Sequence, residues 1–468
     1  MSVRARAGSA RALRGSLVLS IVLGVGAGAA RAQDGSESDA IEAAESGTVE
    51  DRLKALERRI KELESGRGAG GEASAAAGSS EGKDLDFKVK SLLPPEISAL
   101  DGKIRIKLNT RLHVDFRSDL TSNFIDNSFQ VRRARATLSG KLYKRLDFKF
   151  GFEFGRTTDA DIRDAFVSLR IIDALQLTAG QQLVPFSIER LTTSNHMVHP
   201  ERPIAVDQLA GPRDVGATLF GHLGEDRLLS WYASVLNGNG ENRRLDNDQD
   251  MDWVGRIVLR PFAGLTLDGA YRISPTNLAA RAPDDPATVG GAGATFLVWN
   301  PAVRVRGDRH RVSTGARWRW GPLELKGEFL LDRLERVTLG AAESEITAWS
   351  AFGDLSWVIT GEDRDGAIAP SSPALDLESG EFLKGPGAVV LSLRYEYYRV
   401  GAEVRRRAFA VGTDQVHSAT ATVTWWLARP LRLMVSGTGA RFGNRVADRS
   451  GDRRRTDLIA VLRLSFHF

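Results

Sequence analysis

The chain of 468 residues contains no cysteine, so neither a disulfide framework nor a thiolate ligand or nucleophile is available to it. Long apolar segments are also missing, because charged residues interrupt every apolar stretch after residue 30. A membrane-spanning helix needs about 20 consecutive apolar residues. The sequence therefore excludes helices as a means of crossing a membrane.

Basic residues without acidic neighbours occur at the start of the chain. Four arginines precede an apolar run at 17–30, and Ala30-Arg31-Ala32 follows with small residues on either side of one position. This order of segments predicts a signal peptide over 1–32, removed before Gln33. The whole chain has 64 basic and 59 acidic residues. Segment 1–32 contains five of the basic residues, all arginines, and none of the acidic ones. The mature chain is therefore electrically neutral, and we expect no nucleic-acid partner.

Three segments precede the folded region. Residues 33–47 are small and polar, which predicts a disordered linker. At 48–65 an apolar seam with heptad spacing predicts a short coiled coil, expected in the periplasm; the alternative is an amphipathic helix without a partner. Residues 66–95 are rich in Gly, Ala and Ser, which predicts a flexible tether.

From Lys103 onward apolar and polar residues alternate strictly, which is the pattern of a strand with one apolar face. The segment 455–468 is an example, because Leu462, Leu464, Phe466 and Phe468 alternate with polar residues. Such segments begin near residues 103, 129, 146, 162, 175, 213, 228, 251, 265, 309, 323, 345, 388, 417, 431 and 455. An even number of segments of about ten residues is typical of a transmembrane barrel.

The sequence therefore predicts an all-β protein, in which a transmembrane antiparallel β-barrel of about 16 strands spans 96–468 around a water-filled lumen. A soluble sandwich or solenoid would account for the alternation alone. The strand that ends at Phe468 resembles the closing strand of bacterial outer-membrane barrels. That resemblance implies a Gram-negative outer membrane, contact with its lipids, and a barrel-assembly machinery that engages Phe468.

The lengths of the connections predict the two ends of this barrel. Short connections such as 260–264 and 321–322 are expected to be periplasmic turns. Long connections near 187–212, 239–250, 275–308 and 361–387 are expected to be external or inward-folding loops. Tryptophans near the strand ends are expected to form interfacial girdles, namely Trp231, Trp253, Trp299, Trp318, Trp320, Trp357, Trp425 and Trp426.

No motif in the sequence indicates catalysis or a bound cofactor. His196 and His199 lie three residues apart in one loop, which is weak evidence for a metal site. The acidic run 246–252 lacks the glycine turn and the bidentate glutamate of a calcium loop. We therefore expect no catalytic residue, no metal site and no cofactor, and we do not expect an enzyme.

Basic residues recur on the polar face of the predicted strands. Those expected to line the lumen are Arg105, Lys107, Arg111, Arg133 and Lys149. Guanidinium groups bind phosphate through paired hydrogen bonds, and basic groups in a narrow lumen concentrate anions even when the net charge is zero. Acidic residues on the same faces, such as Asp115 and Glu328, leave open a lumen of mixed charge without selectivity.

Several segments resemble one known family, the phosphate-selective porins O and P. These segments are 129–150, 162–166, 179–186, 189–195, 201–203, 360–363 and 424–434. The resemblance covers about 96–468 and implies a trimer of sixteen-stranded barrels, each with its own pore, that passes phosphate or a related oxyanion.

Matched motif by motif, the resemblance implies a constriction at which basic side chains and hydroxyls bind phosphate. The matching residues are Arg190, Thr193, Ser194 and Arg202, with Arg135 and Asp164 in the same region. Arg190 and Thr193 stand where the family pattern has lysine and serine, so phosphate and polyphosphate both remain open. The alternatives are a general or differently selective porin, and a structural outer-membrane tether.

Overall fold

The computed structural model describes residues 88–468 except 93, 122, 156–159, 243–249, 276–279, 282–283, 292 and 365–367. The predicted signal peptide at 1–32, linker at 33–47 and coiled coil at 48–65 lie outside these residues, as does most of the predicted tether. Among the helices that are described, none is long and apolar enough to cross a membrane.

Strands make up most of the described chain. They are β1 (Lys88–Leu92), β2 (Pro95–Ala99), β3 (Ile104–Asp119), β4 (Ser128–Leu142), β5 (Leu146–Glu153), β6 (Asp161–Ile172), β7 (Leu175–Leu183), β8 (Arg213–Leu223), β9 (Leu229–Leu236), β10 (Asp252–Leu259), β11 (Leu265–Ser274), β12 (Ala280–Arg281), β13 (Leu297–Trp299), β14 (Arg304–Trp320), β15 (Leu323–Leu339), β16 (Ala342–Val358), β17 (Ala388–Val400), β18 (Ala410–Gly412), β19 (Gln415–Ala428), β20 (Leu431–Ala447) and β21 (Arg453–His467). Short helices lie at Ile188–Leu191, Ile204–Leu209, Thr288–Gly291 and Glu403–Arg406, with a 3₁₀ turn at Glu225–Arg227.

Sixteen of the described strands, namely β3–β11, β14–β17 and β19–β21, form a closed antiparallel barrel. Consecutive barrel strands pair with one another, and β21 pairs with β3 through contacts such as Phe466 opposite Leu112. Closure leaves these sixteen strands without a free edge. The sixteen-stranded barrel predicted from the sequence is confirmed, and each strand begins within a few residues of its predicted start.

The two faces of the wall have opposite chemistry. On β21, Leu462 and Leu464 point outward and are 41% and 46% exposed, whereas Arg463 and Ser465 point inward and are 1% and 0% exposed. Apolar residues on the outside and buried polar residues on the inside are the reverse of a water-soluble protein, and they are the arrangement of a barrel in lipid.

The connections define two ends, here called the turn end and the loop end. The turn end carries the short connections 143–145, 173–174, 224–228, 260–264, 321–322 and 429–430. Strand order also places 359–387 at the turn end, opposite the other three long connections. This connection does reach inward, because the Nη2 of Arg364 donates to the carbonyl oxygen of His196 at 3.1 Å.

An apolar core fills the lumen near the loop end. Strand β13 pairs with β18 there, and the ring of Phe296 lies 5.7 Å from Tyr398 and 6.3 Å from Phe442. Trp299 belongs to this core, and Trp426 is buried in a second cluster. These two tryptophans therefore do not belong to a girdle, and the lumen is packed at this end instead of water-filled throughout.

The folded region begins earlier than residue 96. Strands β1 and β2 form a hairpin, and β2 pairs with the first residues of β3, with Ile97 opposite Ile106. The last residues of the predicted tether, 88–92 and Pro95, therefore belong to a hairpin attached to the barrel at the turn end.

Candidate functional site

A loop between β7 and β8, residues 184–212, folds into the lumen and is here called the constriction loop. Carboxylates of the wall fix its two short helices. Glu328 accepts from the hydroxyl of Ser187 at 3.0 Å, and Ser187 is the N-cap of the helix Ile188–Leu191. Glu396 accepts from the backbone N–H groups of Ile204 and Ala205 at 2.9 and 3.0 Å. A carboxylate at a helix N-terminus satisfies amides that have no partner within the helix.

The tip of the constriction loop is held by one carboxylate, Glu201, which is 5% exposed. Four arginines of β3, β4 and β21 surround it, and we call these five residues the Glu201 cluster. Their guanidinium nitrogens lie 2.8–3.5 Å from the carboxylate oxygens in Arg117, Arg132, Arg133 and Arg463. Burial alone would raise the pKa of Glu201, but these arginines hold it well below its usual value. The carboxylate of Glu201 is therefore ionised, and it fixes the tip of the loop to the wall.

Further arginines hold the backbone of the loop. Arg432 donates to the carbonyl oxygens of Met197 and Ser194 at 3.0 and 2.9 Å. Arg394 donates to the carbonyl oxygen of Glu201 at 2.9 Å. These contacts come from β17 and β20, so the loop is bound to the wall over a wide arc.

Arg190 and Arg202, both expected at the constriction, serve the structure of the loop itself. Arg202 donates to the carbonyl oxygen of Thr192 at 2.6 Å and to that of Glu189 at 3.3 Å. Arg190 pairs with Asp207 at 3.2 Å. Neither is among the described residues that line the two cavities below, and their contact with an anion stays a prediction.

Arg111 joins the two hydroxyls expected at the constriction. Its Nη1 donates to the Oγ of Ser194 at 2.6 Å, and its Nη2 donates to the Oγ1 of Thr193 at 2.9 Å. Arg111 is therefore brought to Thr193 and Ser194, which follow it in the sequence by 82 and 83 positions, and all three were singled out from the sequence. The guanidinium orients both hydroxyls and adds a positive charge beside them.

Two cavities meet at this point. The first cavity, of about 780 Å³, lies between the constriction loop and the wall on the side of β6–β15. The second cavity, of about 610 Å³, lies against β3–β5 near the turn end. Lys149, Thr193 and His196 line both, so these three residues mark the junction.

Positive charge dominates both cavities. Among the described residues, the second cavity is lined by five basic side chains and no acidic one, namely Lys107, Arg111, Arg135, Lys149 and Arg429. The first cavity has eight basic side chains against Asp164 and Glu324 within the same described part of the chain: Lys149, Arg213, Arg256, Arg260, Arg317, Arg319, Lys326 and Arg364. Such surroundings favour anions over cations.

The remaining predicted residues lie at different places. Asp164 lines the first cavity and is paired with Arg213 at 2.8 Å and Lys149 at 3.2 Å. Arg135 is paired with Glu153 at the edge of the second cavity. Arg133 is 3% exposed in the Glu201 cluster, and Arg105 donates to the turn carbonyl of Gly102 at 3.4 Å; neither is among the described residues that line these two cavities.

Most basic residues of the first cavity were not singled out from the sequence. Arg256, Arg260, Arg317 and Arg319 alternate with apolar residues, so their inward direction was readable. Their exposure to an open cavity depends on where the constriction loop leaves space, and no local pattern reports that.

His196 provides a pH test of the junction. Burial, followed by the charges of nearby arginines such as Arg432, lowers its pKa to about 4. The imidazole is therefore neutral at pH 7 and gains a positive charge only below about pH 4. We expect anion selectivity to rise as pH falls from 5 to 3, measured as reversal potential in a KCl gradient. His196→Gln should remove that part of the rise, whereas an unchanged pH profile would place His196 outside the ion path.

Comparisons with known proteins agree with this architecture. A family model described as phosphate-selective porin O and P matches residues 106–468. The anion-selective porin from Comamonas acidovorans superposes with a TM-score of 0.51 at 12% identity, covering 78% of this chain and 100% of that one. The outer membrane channel DcaP of Acinetobacter baumannii gives 0.50 at 11% identity, covering 78% and 97%. At such identities the likeness shows the fold alone. No curated protein matches the sequence.

Proposed function

Since the chain belongs to the phosphate-selective porin O and P family and is an outer-membrane β-barrel porin, we propose that it forms an anion-selective channel through which phosphate or polyphosphate diffuses. A channel of this kind needs no cofactor and no energy coupling. The turn end, which carries the hairpin β1–β2 that follows the N-terminal segment, faces the periplasm in this proposal. The family resemblance and the heptad seam at 48–65 support a homotrimer, with the coiled coil in the periplasm.

The observation that carries this proposal is the charge of the second cavity. Five basic side chains and no acidic one line it within the described part of the chain. A neutral protein gains nothing from its net charge, so selectivity must arise from such local placement. Lys149 and Arg135 are paired with Asp164 and Glu153 of the wall. The other three basic side chains leave the lining of this cavity with an excess of positive charge, which disfavours a cation.

The polar groups of the junction suit an oxyanion. Arg111 supplies guanidinium N–H groups, and Thr193 supplies a hydroxyl that it already orients. These groups replace water that an oxyanion sheds on entry. Several moderate contacts also allow release, which a channel requires and a tight cage would prevent.

The test is the reversal potential of the refolded mature protein in a KCl gradient, followed by titration of phosphate. We expect an anion-selective current that phosphate blocks saturably. Arg111→Gln should raise the half-blocking phosphate concentration roughly tenfold, since a charge-assisted hydrogen bond of about 1.5–3 kcal/mol is lost.

Arg333→Gln is the matched control. Arg333 lies on the outer wall, where it pairs with Glu345 at 2.7 Å, and its loss should leave the block unchanged. A cation-selective current would refute anion selectivity. An anion-selective current without block would leave a general anion porin and remove phosphate from the account.

A further inference from the structure

An aromatic wall faces the lumen in the first cavity. Phe166, Phe220 and Tyr232 lie on β6, β8 and β9, line this cavity and are half-buried. The rings of Phe220 and Tyr232 are 5.8 Å apart and nearly parallel, with an angle of 6° between their planes. An inorganic anion gains nothing from apolar rings, so this wall is unexplained by passage of phosphate alone.

The constriction loop supplies a second apolar wall to the same cavity. Ile188 and Leu191, both in the short helix that Ser187 caps, line it, and Leu183 at the end of β7 lies beside them. These three apolar side chains and the rings on the barrel wall therefore border one space of about 780 Å³. Cavities of this size that combine apolar and aromatic walls with placed polar groups are typical of sites for organic molecules.

Positive charge lies beside the rings. The guanidinium carbon of Arg256 is 5.1 Å from the ring centroid of Tyr232, and Arg256 also pairs with Asp268, with Nε to Oδ2 at 2.7 Å. Arg317 and Arg319 line the same cavity and share one carboxylate, that of Glu324, at 3.8 and 2.7 Å. Arg364 also lies 3.9 Å from this carboxylate, so basic groups outnumber acidic ones in this part of the cavity lining.

We propose that the first cavity takes organic anions in which a phosphate, sulfonate or carboxylate group is joined to a flat apolar ring. The ring lies against Phe220 and Tyr232, and the anionic group faces Arg317 and Arg319. This inference rests on the proposed anion channel and names a substrate class for it. Aromatic side chains stack on planar rings, and the apolar area removed from water adds to the affinity of the charged group.

The experiment compares two probes of equal charge, phenyl phosphate and methyl phosphate, as blockers of the KCl current through the refolded mature protein. We expect phenyl phosphate to block at a concentration at least tenfold lower. Phe220→Thr with Tyr232→Thr should remove this difference and leave the block by methyl phosphate unchanged. Threonine keeps the strand propensity of these positions.

Controls separate this inference from the proposed function. Tyr395→Thr removes an aromatic ring from the outer wall, where Tyr395 is 54% exposed, and should preserve the tenfold difference. Equal block by both probes in the unmodified protein would overturn the aromatic site and leave the anion channel standing. A current that is not anion-selective would overturn the channel proposal itself. If the double variant fails to fold, Phe220→Thr alone should still reduce the difference.

Discussion

Lys149→Glu is expected to abolish or invert the anion selectivity of the channel. The side chain of Lys149 lines both cavities and is 38% exposed, so the substitution changes the charge of the junction by two units. Two charges 4 Å apart interact by about 1 kcal/mol in water and by about 4 kcal/mol near a protein surface. We therefore expect the ratio of chloride to potassium permeability to fall at least tenfold, measured from reversal potentials.

Lys144→Glu is the matched control for this experiment. Lys144 lies exposed in the turn 143–145 and is not among the described residues that line either cavity, so the same change of charge should leave the permeability ratio nearly intact. The substitution also removes the ion pair of Lys149 with Asp164, which is a local effect. Folding of the variant is verified by the different gel migration of heated and unheated barrel. Unchanged selectivity in Lys149→Glu would show that ions bypass the junction.

Glu201→Gln is expected to loosen the constriction loop and to destabilise the barrel by about 3–5 kcal/mol, the usual cost of removing one partner from a buried ion pair. Four arginines would face a neutral amide in a site from which water is largely excluded. We expect a larger and noisier single-channel conductance and a lower temperature for conversion of the folded to the unfolded gel band. Because the pore widens, selectivity should also fall.

Glu345→Gln makes the same chemical change in the half-exposed pair with Arg333, for which a cost below about 1 kcal/mol is expected. Arg132→Gln is a milder variant of the Glu201 cluster, because it removes one arginine whose side chain is 16% exposed and keeps the other three. Its conductance should lie between those of the parent and of Glu201→Gln. Parent-like conductance and stability in Glu201→Gln would mean that the backbone contacts of Arg432 and Arg394 suffice to hold the loop.

The barrel was predictable because its signal is local. Each strand shows its own alternation, so the sixteen starts and the outward faces follow from short windows of sequence. Loop chemistry is not local in this sense. Trp299 and Trp426 look like girdle residues by composition, yet Trp299 lies on β13 in the apolar core, and Trp426 lies on the inner face of β19, where Ile368 packs in the same cluster.

The site was predictable only in part, for a related reason. Alternation identifies Arg111 and Lys149 as inward residues, and both reach the junction. It assigns the same direction to Arg133, but a bulge at Arg132 brings two consecutive arginines to Glu201. A bulge of one residue leaves no mark in the apolar pattern, and a carboxylate 68 positions away cannot be inferred from it. The role of Arg202 is equally invisible, since it depends on where the loop carbonyls point.

The pairing of β21 with β3 ties the width of the pore to the completion of the sheet. Arg463 of β21 and Arg117 of β3 both bind Glu201. The Glu201 cluster, which holds the constriction loop, is therefore assembled across the two strands at which the barrel closes. Before β21 pairs with β3, the backbone groups of these two strands lack hydrogen-bond partners in lipid, and the Glu201 cluster is incomplete. The pore is therefore narrowed only in the last step of assembly. A barrel that fails to close is expected to pass ions without restriction, instead of merely losing its preference among them.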